Sequence, residues 1–164
     1  MELMLLRHAP AEQMDGVRYP DDDERPLTSA GSKLQRQLTR VLKTMGLVPD
    51  DVLTSPRRRA WQTAAIVADG FGRTAVVAEA LGHHYTPDGV VALLADYRTR
   101  GRVMLIGHEP DLGELAGLLL GPQGGPAIHF RKSGVLGMRF SGRAAFGEGT
   151  LEYFYRPEDL LARR

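Results

Sequence analysis

The sequence predicts an α/β fold, a three-layer α/β/α sandwich around a mostly parallel central sheet, on three observations. Short apolar runs alternate with amphipathic helical stretches along most of the chain, the pattern of successive β-α units. One run, Val103-Met104-Leu105-Ile106, is apolar at every position, as a strand covered on both faces requires. The 164 residues, 43% of them hydrophobic, suffice for one substantial core but hardly two, so residues 1–164 are expected to form a single domain.

The elements follow in order. Leu3-Met4-Leu5-Leu6 forms the middle of a first strand over 2–7, and Arg7-His8 stands where that strand ends. Leu34, Leu38, Val41, Leu42 and Met45 recur at i, i+4, i+7, i+8 and i+11, which predicts a helix over 32–45, ended by Gly46. Asp51-Val52-Leu53-Thr54 is a second strand. Ser55-Pro56 opens a second helix, with serine as cap and proline in the first turn; Ala60, Trp61, Ala64, Ala65, Val67 and Ala68 are its expected buried side. Ala75-Val76-Val77-Ala78 reads as a third strand, and Thr86-Pro87 starts a third helix containing Val90, Val91, Leu93, Leu94 and Tyr97. The 103–106 run is the fourth strand, followed by a helix through Leu112, Leu115, Leu118 and Leu119. From about residue 133 the period changes to two. The stretch 135–140 and Thr150 to Tyr155, joined by the Gly-rich 142–149, are expected to pair as a hairpin. Loops cover 10–28 and 121–132. The acidic run at 21–24 is expected to be a solvated loop, because consecutive carboxylates do not by themselves surround a cation.

Composition narrows the function. The 21 basic and 20 acidic residues nearly cancel to a formal charge of +1, which argues against a dedicated nucleic-acid or membrane-surface protein; any anion site must be local. With no cysteine, disulfides, thiolate zinc sites and a cysteine nucleophile are excluded. The first apolar run is broken by Arg7 and His8 too early for a signal peptide, and no later run approaches the roughly 18 apolar residues of a membrane span, so a cytoplasmic location is expected.

Topology then gathers scattered residues. Arg7-His8 follows the first strand, Thr54-Ser55 and Arg57-Arg58-Arg59 the second, His83-His84 the third, and Gly107-His108 the fourth. In a parallel sheet these carboxyl ends share one edge, where helix amino termini also point and anions bind. Arginine supplies a planar anion clamp and histidine a nucleophile, the parts that phosphoryl transfer needs.

In order along the chain, Arg7-His8, Arg25-Pro26-Leu27-Thr28 with Gly31, Ser55-Pro56 with Arg59-Ala60 and Gln62-Thr63, and Gly107-His108 with Pro110 resemble the histidine phosphatase, or phosphoglycerate mutase-like, superfamily. The likeness is greatest to its short SixA-like phosphohistidine phosphatases. It implies two-step phosphoryl transfer with neither metal nor cofactor. His8 would be the nucleophile, its other ring nitrogen donating to a carbonyl or carboxylate. Arg7, Arg59 and His108 would surround the nonbridging oxygens, so that phosphate or sulfate should bind among them. The family spacing selects Arg59 and leaves Arg57 and Arg58 as surface or rim charges, with Arg57 a candidate for peripheral binding.

Two departures from the family pattern are informative. Ala9 replaces a usual glycine, which requires a backbone conformation compatible with a β-carbon. After the third strand, where many relatives carry a general acid, the sequence is Leu81-Gly82-His83-His84-Tyr85. Phosphohistidine can take a proton on its distal nitrogen and leave as neutral imidazole, so the missing acid favours a phosphohistidine-bearing protein over an alkyl phosphate. His83 and His84 remain open between a solvated loop, substrate-side binding and proton donation. The chain is too short for large capping insertions, which implies a small uncapped domain with an open groove; Arg57, Arg58, Arg131 or Lys132 could contact a partner there. Alternatives are a broad-specificity phosphatase of small phosphate esters and a noncatalytic phosphoprotein-binding module. Nucleic-acid binding by Arg57-Arg58-Arg59 is disfavoured by the near-neutral charge and the lack of an aromatic platform.

Overall fold

The computed structural model describes residues 1–97, 101–121 and 125–163. Its elements are β1 (Glu2–Arg7), α1 (Ser29–Thr44), β2 (Asp51–Thr54), α2 (Arg58–Phe71), β3 (Ala75–Val77), α3 (Pro87–Ala95), β4 (Arg102–Gly107), α4 (Asp111–Leu120), β5 (Val135–Arg139), β6 (Thr150–Tyr155) and α5 (Pro157–Leu161). Six strands form one sheet in the order β3-β2-β4-β1-β5-β6. The first four are mutually parallel, whereas β5 runs antiparallel to β1 and pairs with β6 in the expected hairpin.

Alternation along the strands builds the three layers. Leu3, Leu5, Leu53, Val103, Leu105, Leu136 and Met138 point to the face covered by α3 and α4. Met4, Leu6, Val52, Met104, Ile106 and Val135 point to the face covered by α1, α2 and α5. Every residue from Val103 to Ile106 is fully buried, as a central strand with helices on both sides must be. The two edges differ: Val76 and Val77 of β3 are about half exposed, so that apolar run lies on the sheet margin.

Several local expectations are corrected. Helix α1 begins at Ser29, three residues before its expected start at 32, because Thr28 caps it by accepting the Gly31 N–H at 2.9 Å. Gly31 is required there: a β-carbon would lie 2.1 Å from the Pro10 carbonyl oxygen. Ser55 does not cap α2, which starts at Arg58 with no side-chain cap. Trp61 is 49% exposed, since Ala60, Ala64, Val67 and Phe71 form the buried stripe and Trp61 is turned about 100° from it. The acidic run is not a free loop. Asp22–Glu24 is a 3-10 turn capped by the Asp21 side chain, and its carboxylates pair with arginines 25, 57, 58 and 59. Of the expected 121–132 loop, residues 122–124 lie outside the described residues. Among the described residues, no helix is long and apolar enough to cross a membrane.

Candidate active site

Strand register brings the site together. β1 and β4 pair with Arg7 opposite Gly107, so His8 and His108 leave neighbouring strands at one level, and their rings lie 5.2 Å apart at 51°. β2 lies on the other side of β4, and the Ser55 N–H donates to the Ile106 carbonyl at 3.0 Å, placing Ser55 beside His108. Arg59 enters from the first turn of α2.

His8 is 5% exposed and its Nδ1 lies 2.8 Å from the Ala9 carbonyl oxygen. A carbonyl can only accept, so Nδ1 carries the proton and Nε2 holds a free lone pair. Burial, and then the charges of Arg59, Arg7 and Lys132, push the His8 pKa from its usual 6.5 down to about 3, against the opposing bond to Ala9. The ring is therefore neutral at physiological pH. Ala9 avoids positive φ and donates its N–H to Thr63 Oγ1 at 3.0 Å, so the position tolerates a β-carbon. Thr63 in turn donates to the Arg59 carbonyl at 2.7 Å and ties the β1 end to α2.

His108 is held from its far side. Its Nε2 lies 2.8 Å from Ser55 Oγ, which accepts the Arg57 N–H at 3.3 Å. The hydroxyl can donate to Nε2 or accept from it, and the tautomer with Nδ1–H is the one that presents a donor to the pocket. Nδ1 is buried without a hydrogen-bond partner. Burial, followed by His8, Arg59, Arg57 and Arg7, pushes the His108 pKa down to about 2, so this ring is also neutral.

The arginines repeat the arrangement. Arg7 donates Nη1 to the Phe130 carbonyl at 2.6 Å, and Arg59 donates Nη1 to the Asp22 carbonyl at 2.8 Å while its Nη2 sits 3.1 Å from the Asp22 carboxylate. Each guanidinium is anchored by its outer nitrogens, and each Nε is buried with no hydrogen-bond partner. Burial lowers the pKa of both, but from so high a value that both keep their charge. Lys132 lines a groove together with Arg7 and adds a third cation nearby; burial and the nearby Arg7, Arg25 and Arg59 lower its pKa.

The structure thus brings Arg7, His8, Arg59 and His108 together and puts Lys132 at their side. Arg57 and His83 stand at the rim as a linked pair. Arg57 Nε is 3.1 Å from Asp23, its Nη2 donates to His83 Nδ1 at 3.5 Å, and His83 Nε2 donates to Asp23 in a short contact. His83 is exposed and tethered to Arg57 and Asp23. His84 is exposed, and Arg58 donates to the Glu24 carbonyl at 3.3 Å and lies 3.8 Å from its carboxylate. Among the described residues, no group of three or more His, Asp or Glu side chains is placed to hold a metal ion.

Three contributors escape the sequence reading: Asp22, Ser55 in its role towards His108, and Ser133. Ser133 adopts φ 62°, and its N–H is shared between the Arg7 and His8 carbonyls at 3.1 and 3.2 Å, fixing Lys132 against the end of β1. An acidic run facing three consecutive arginines in a near-neutral chain is a signal that could have found Asp22. Nothing local marks Ser133, whose partners lie about 125 residues away in sequence.

Residues 3–83 match the sequence profile of the histidine phosphatase superfamily (branch 1). An uncharacterized protein of Picosynechococcus sp. (strain ATCC 27264 / PCC 7002 / PR-6) is 35% identical over 142 residues, 85% of each chain. The fold is similar to that of the protein histidine phosphatase SixA complexed with tungstate, with a TM-score of 0.83 and 27% identity over 98% of this chain and 99% of that one. A SixA from Agrobacterium tumefaciens superposes with a TM-score of 0.75 over 95% and 97% of the two chains, at 23% identity, a likeness of fold. With its profile match and this resemblance along nearly its whole length, the chain belongs to the histidine phosphatase superfamily.

Proposed function

We propose that this chain, acting as one domain over residues 1–164, is a metal-independent phosphatase that removes the phosphoryl group from phosphohistidine on a protein through an intermediate on His8. One observation carries the reading. Arg7 Nε, Arg59 Nε and His108 Nδ1 are buried nitrogens without partners, gathered about a histidine whose Nε2 is unprotonated. The two arginine Nε–H groups are unsatisfied buried donors, each costing about 1–3 kcal/mol, and His108 in its Nδ1–H tautomer adds a third; a tetrahedral oxyanion supplies one oxygen for each. Two permanent guanidinium charges and Lys132 would repel a divalent cation at the same place. The SixA similar to this chain was solved with tungstate, a tetrahedral oxyanion.

The chemistry follows from these groups. The Nε2 lone pair of His8 attacks phosphorus in line; the bond from phosphorus to the substrate's imidazole nitrogen breaks, and the leaving ring departs neutral, having gained a proton on its other nitrogen. Arg7, Arg59 and His108 bind the three nonbridging oxygens, whose positions and charge they stabilise during transfer. His8 gains positive character as its new bond forms, and the Nδ1–H bond to Ala9 steadies it. Water then attacks the phosphoryl group from the vacated side, the bond to Nε2 breaks, and inorganic phosphate with a released proton completes the cycle.

The test is a comparison of substrates. Phosphorylated histidine-containing phosphotransfer domains should be hydrolysed with higher kcat/KM than any member of a panel of sugar and nucleotide phosphates, and exhaustive chelation should leave the rate unchanged. Preference for a small phosphate ester would assign the alternative substrate class; tight phosphate binding with no turnover of either would make the chain a phosphoprotein-binding module.

A further inference from the structure

A groove of about 640 Å³ opens beside Arg7, lined by Phe130 and Phe154 and by Arg131, Lys132 and Arg156. Phe154 comes from the edge strand β6, is 37% exposed, and stands edge-on to the buried Phe130 with ring centroids 5.1 Å apart. The lining is therefore aromatic and cationic together. One carboxylate, Glu158, lines it as well, 3.7 Å from both Arg131 and Arg156; these pairs are long and largely solvent-exposed, so the Arg131 pair is weak and open to exchange, whereas Arg156 is also held by Asp159 at 3.1 Å. Among the described residues, Lys132 and Arg7 have no carboxylate within ion-pair distance.

The wall is also fixed relative to the pocket. Ser133, in the left-handed region, pins the 131–132 segment to the backbone of Arg7 and His8. Arg7 belongs to both places, lining the groove while its unpartnered Nε remains beside His8.

Resting on the phosphatase reading, we propose that this groove is a docking site for an acidic segment of the phosphoprotein substrate flanking its phosphohistidine, with carboxylates towards Arg131 and Lys132 and an apolar side chain over Phe154. The phosphate pocket alone cannot distinguish one phosphohistidine from another, because the nonbridging oxygens are the same in each. The groove supplies that discrimination through charge complementarity and a small apolar contact next to the reacting atom.

Two peptides test the proposal, identical except that one carries Asp and Glu beside the histidine and the other Asn and Gln. In the phosphorylated form, the acidic peptide should show a kcat/KM about tenfold higher, the scale of one or two exposed charge contacts, and the preference should shrink in high salt. Arg131→Glu should abolish the preference, and Phe154→Ala should lower kcat/KM for both peptides severalfold. Turnover of p-nitrophenyl phosphate, which reaches only the phosphate pocket, should be unchanged in both variants. In the unphosphorylated form, titration of the acidic peptide should shift the backbone NMR signals of Lys132, Ser133 and Phe154, and the neutral peptide should shift them far less. Equal shifts by both peptides, or none by either, would overturn the docking site. Docking with these shifts but no hydrolysis of either phosphopeptide would uphold the groove and overturn the substrate reading instead.

Discussion

Arg59 is held by Asp22 at two points, through the backbone carbonyl at 2.8 Å and through the carboxylate at 3.1 Å, and this grip leaves Nε as its unpartnered nitrogen. The carboxylate also pairs with Arg25 at 2.8 Å, and Arg25 in turn donates to the Glu12 carbonyl at 2.8 Å, so one aspartate fastens the 10–28 loop to the start of α2. Asp22 is a positioning residue in this account. Asp22→Ala should lower kcat/KM on an activated phosphate ester by about tenfold, the loss of one charge-assisted hydrogen bond, whereas Asp22→Asn, which keeps the backbone contact and the reach, should lose less. Tighter phosphate binding by Asp22→Ala would show that the carboxylate competes with the ligand rather than orienting the arginine.

The three consecutive arginines should separate kinetically. Arg59 is buried with its Nε in the pocket; Arg58 is exposed and loosely paired; Arg57 is shared between Asp23 and His83. Arg59→Ala should reduce kcat by about a hundredfold, or roughly 3 kcal/mol of transition-state stabilisation, while Arg58→Ala should change it by less than about twofold. Equal effects of the two, measured by steady-state kinetics, would contradict the assignment.

His83 has both ring nitrogens engaged, one donating to Asp23 and one accepting from Arg57. Its Nε2–H is committed to Asp23 and its Nδ1 faces Arg57. His83→Ala should therefore change kcat/KM for a phosphohistidine substrate by less than about threefold, with the plateau of its pH profile unmoved. A large loss rescued by His83→Gln would make it a structural tether; a large loss with a vanished basic limb would make it the acid.

The buried histidines also set a pH dependence of stability. Both folded-state pKa values, about 3 for His8 and about 2 for His108, lie below the unfolded value near 6.5. The unfolded chain therefore binds protons that the folded chain refuses, and stability is full above about pH 6.5 and declines as pH falls towards 3. Each histidine contributes a slope of up to about 1.4 kcal/mol per pH unit in that window. Urea unfolding between pH 5 and 7 should show a shallower slope for His8→Asn than for the wild type, and saturating phosphate should also flatten the wild-type slope. Parallel slopes for wild type and variant would mean that His8 titrates normally in the folded chain.

Much of this architecture was legible in the sequence because it rests on local pattern. The 103–106 run, the α1 stripe and the Thr86-Pro87 start depend on side-chain periodicity and capping, and the structure keeps them. The clustering of Arg7, His8, Arg59 and His108 followed from topology, since parallel strands end on one edge. What escaped depends on contacts distant in sequence. Ser55 has the appearance of a helix cap until β4 places His108 next to it. The acidic run is indistinguishable from a solvated loop until the 10–28 segment folds back over α2, and Trp61 fits a wide apolar stripe that burial then narrows.

Trapping the phosphorylated intermediate decides whether His8 is the nucleophile. Wild-type protein mixed with a labelled phosphohistidine protein, quenched within one turnover in alkali and digested, should carry label at His8 in a bond stable to base and labile to acid. His8→Ala, folded by thermal unfolding and circular dichroism, should carry none and turn over nothing. Label on another residue, or undiminished hydrolysis by folded His8→Ala, would contradict the account.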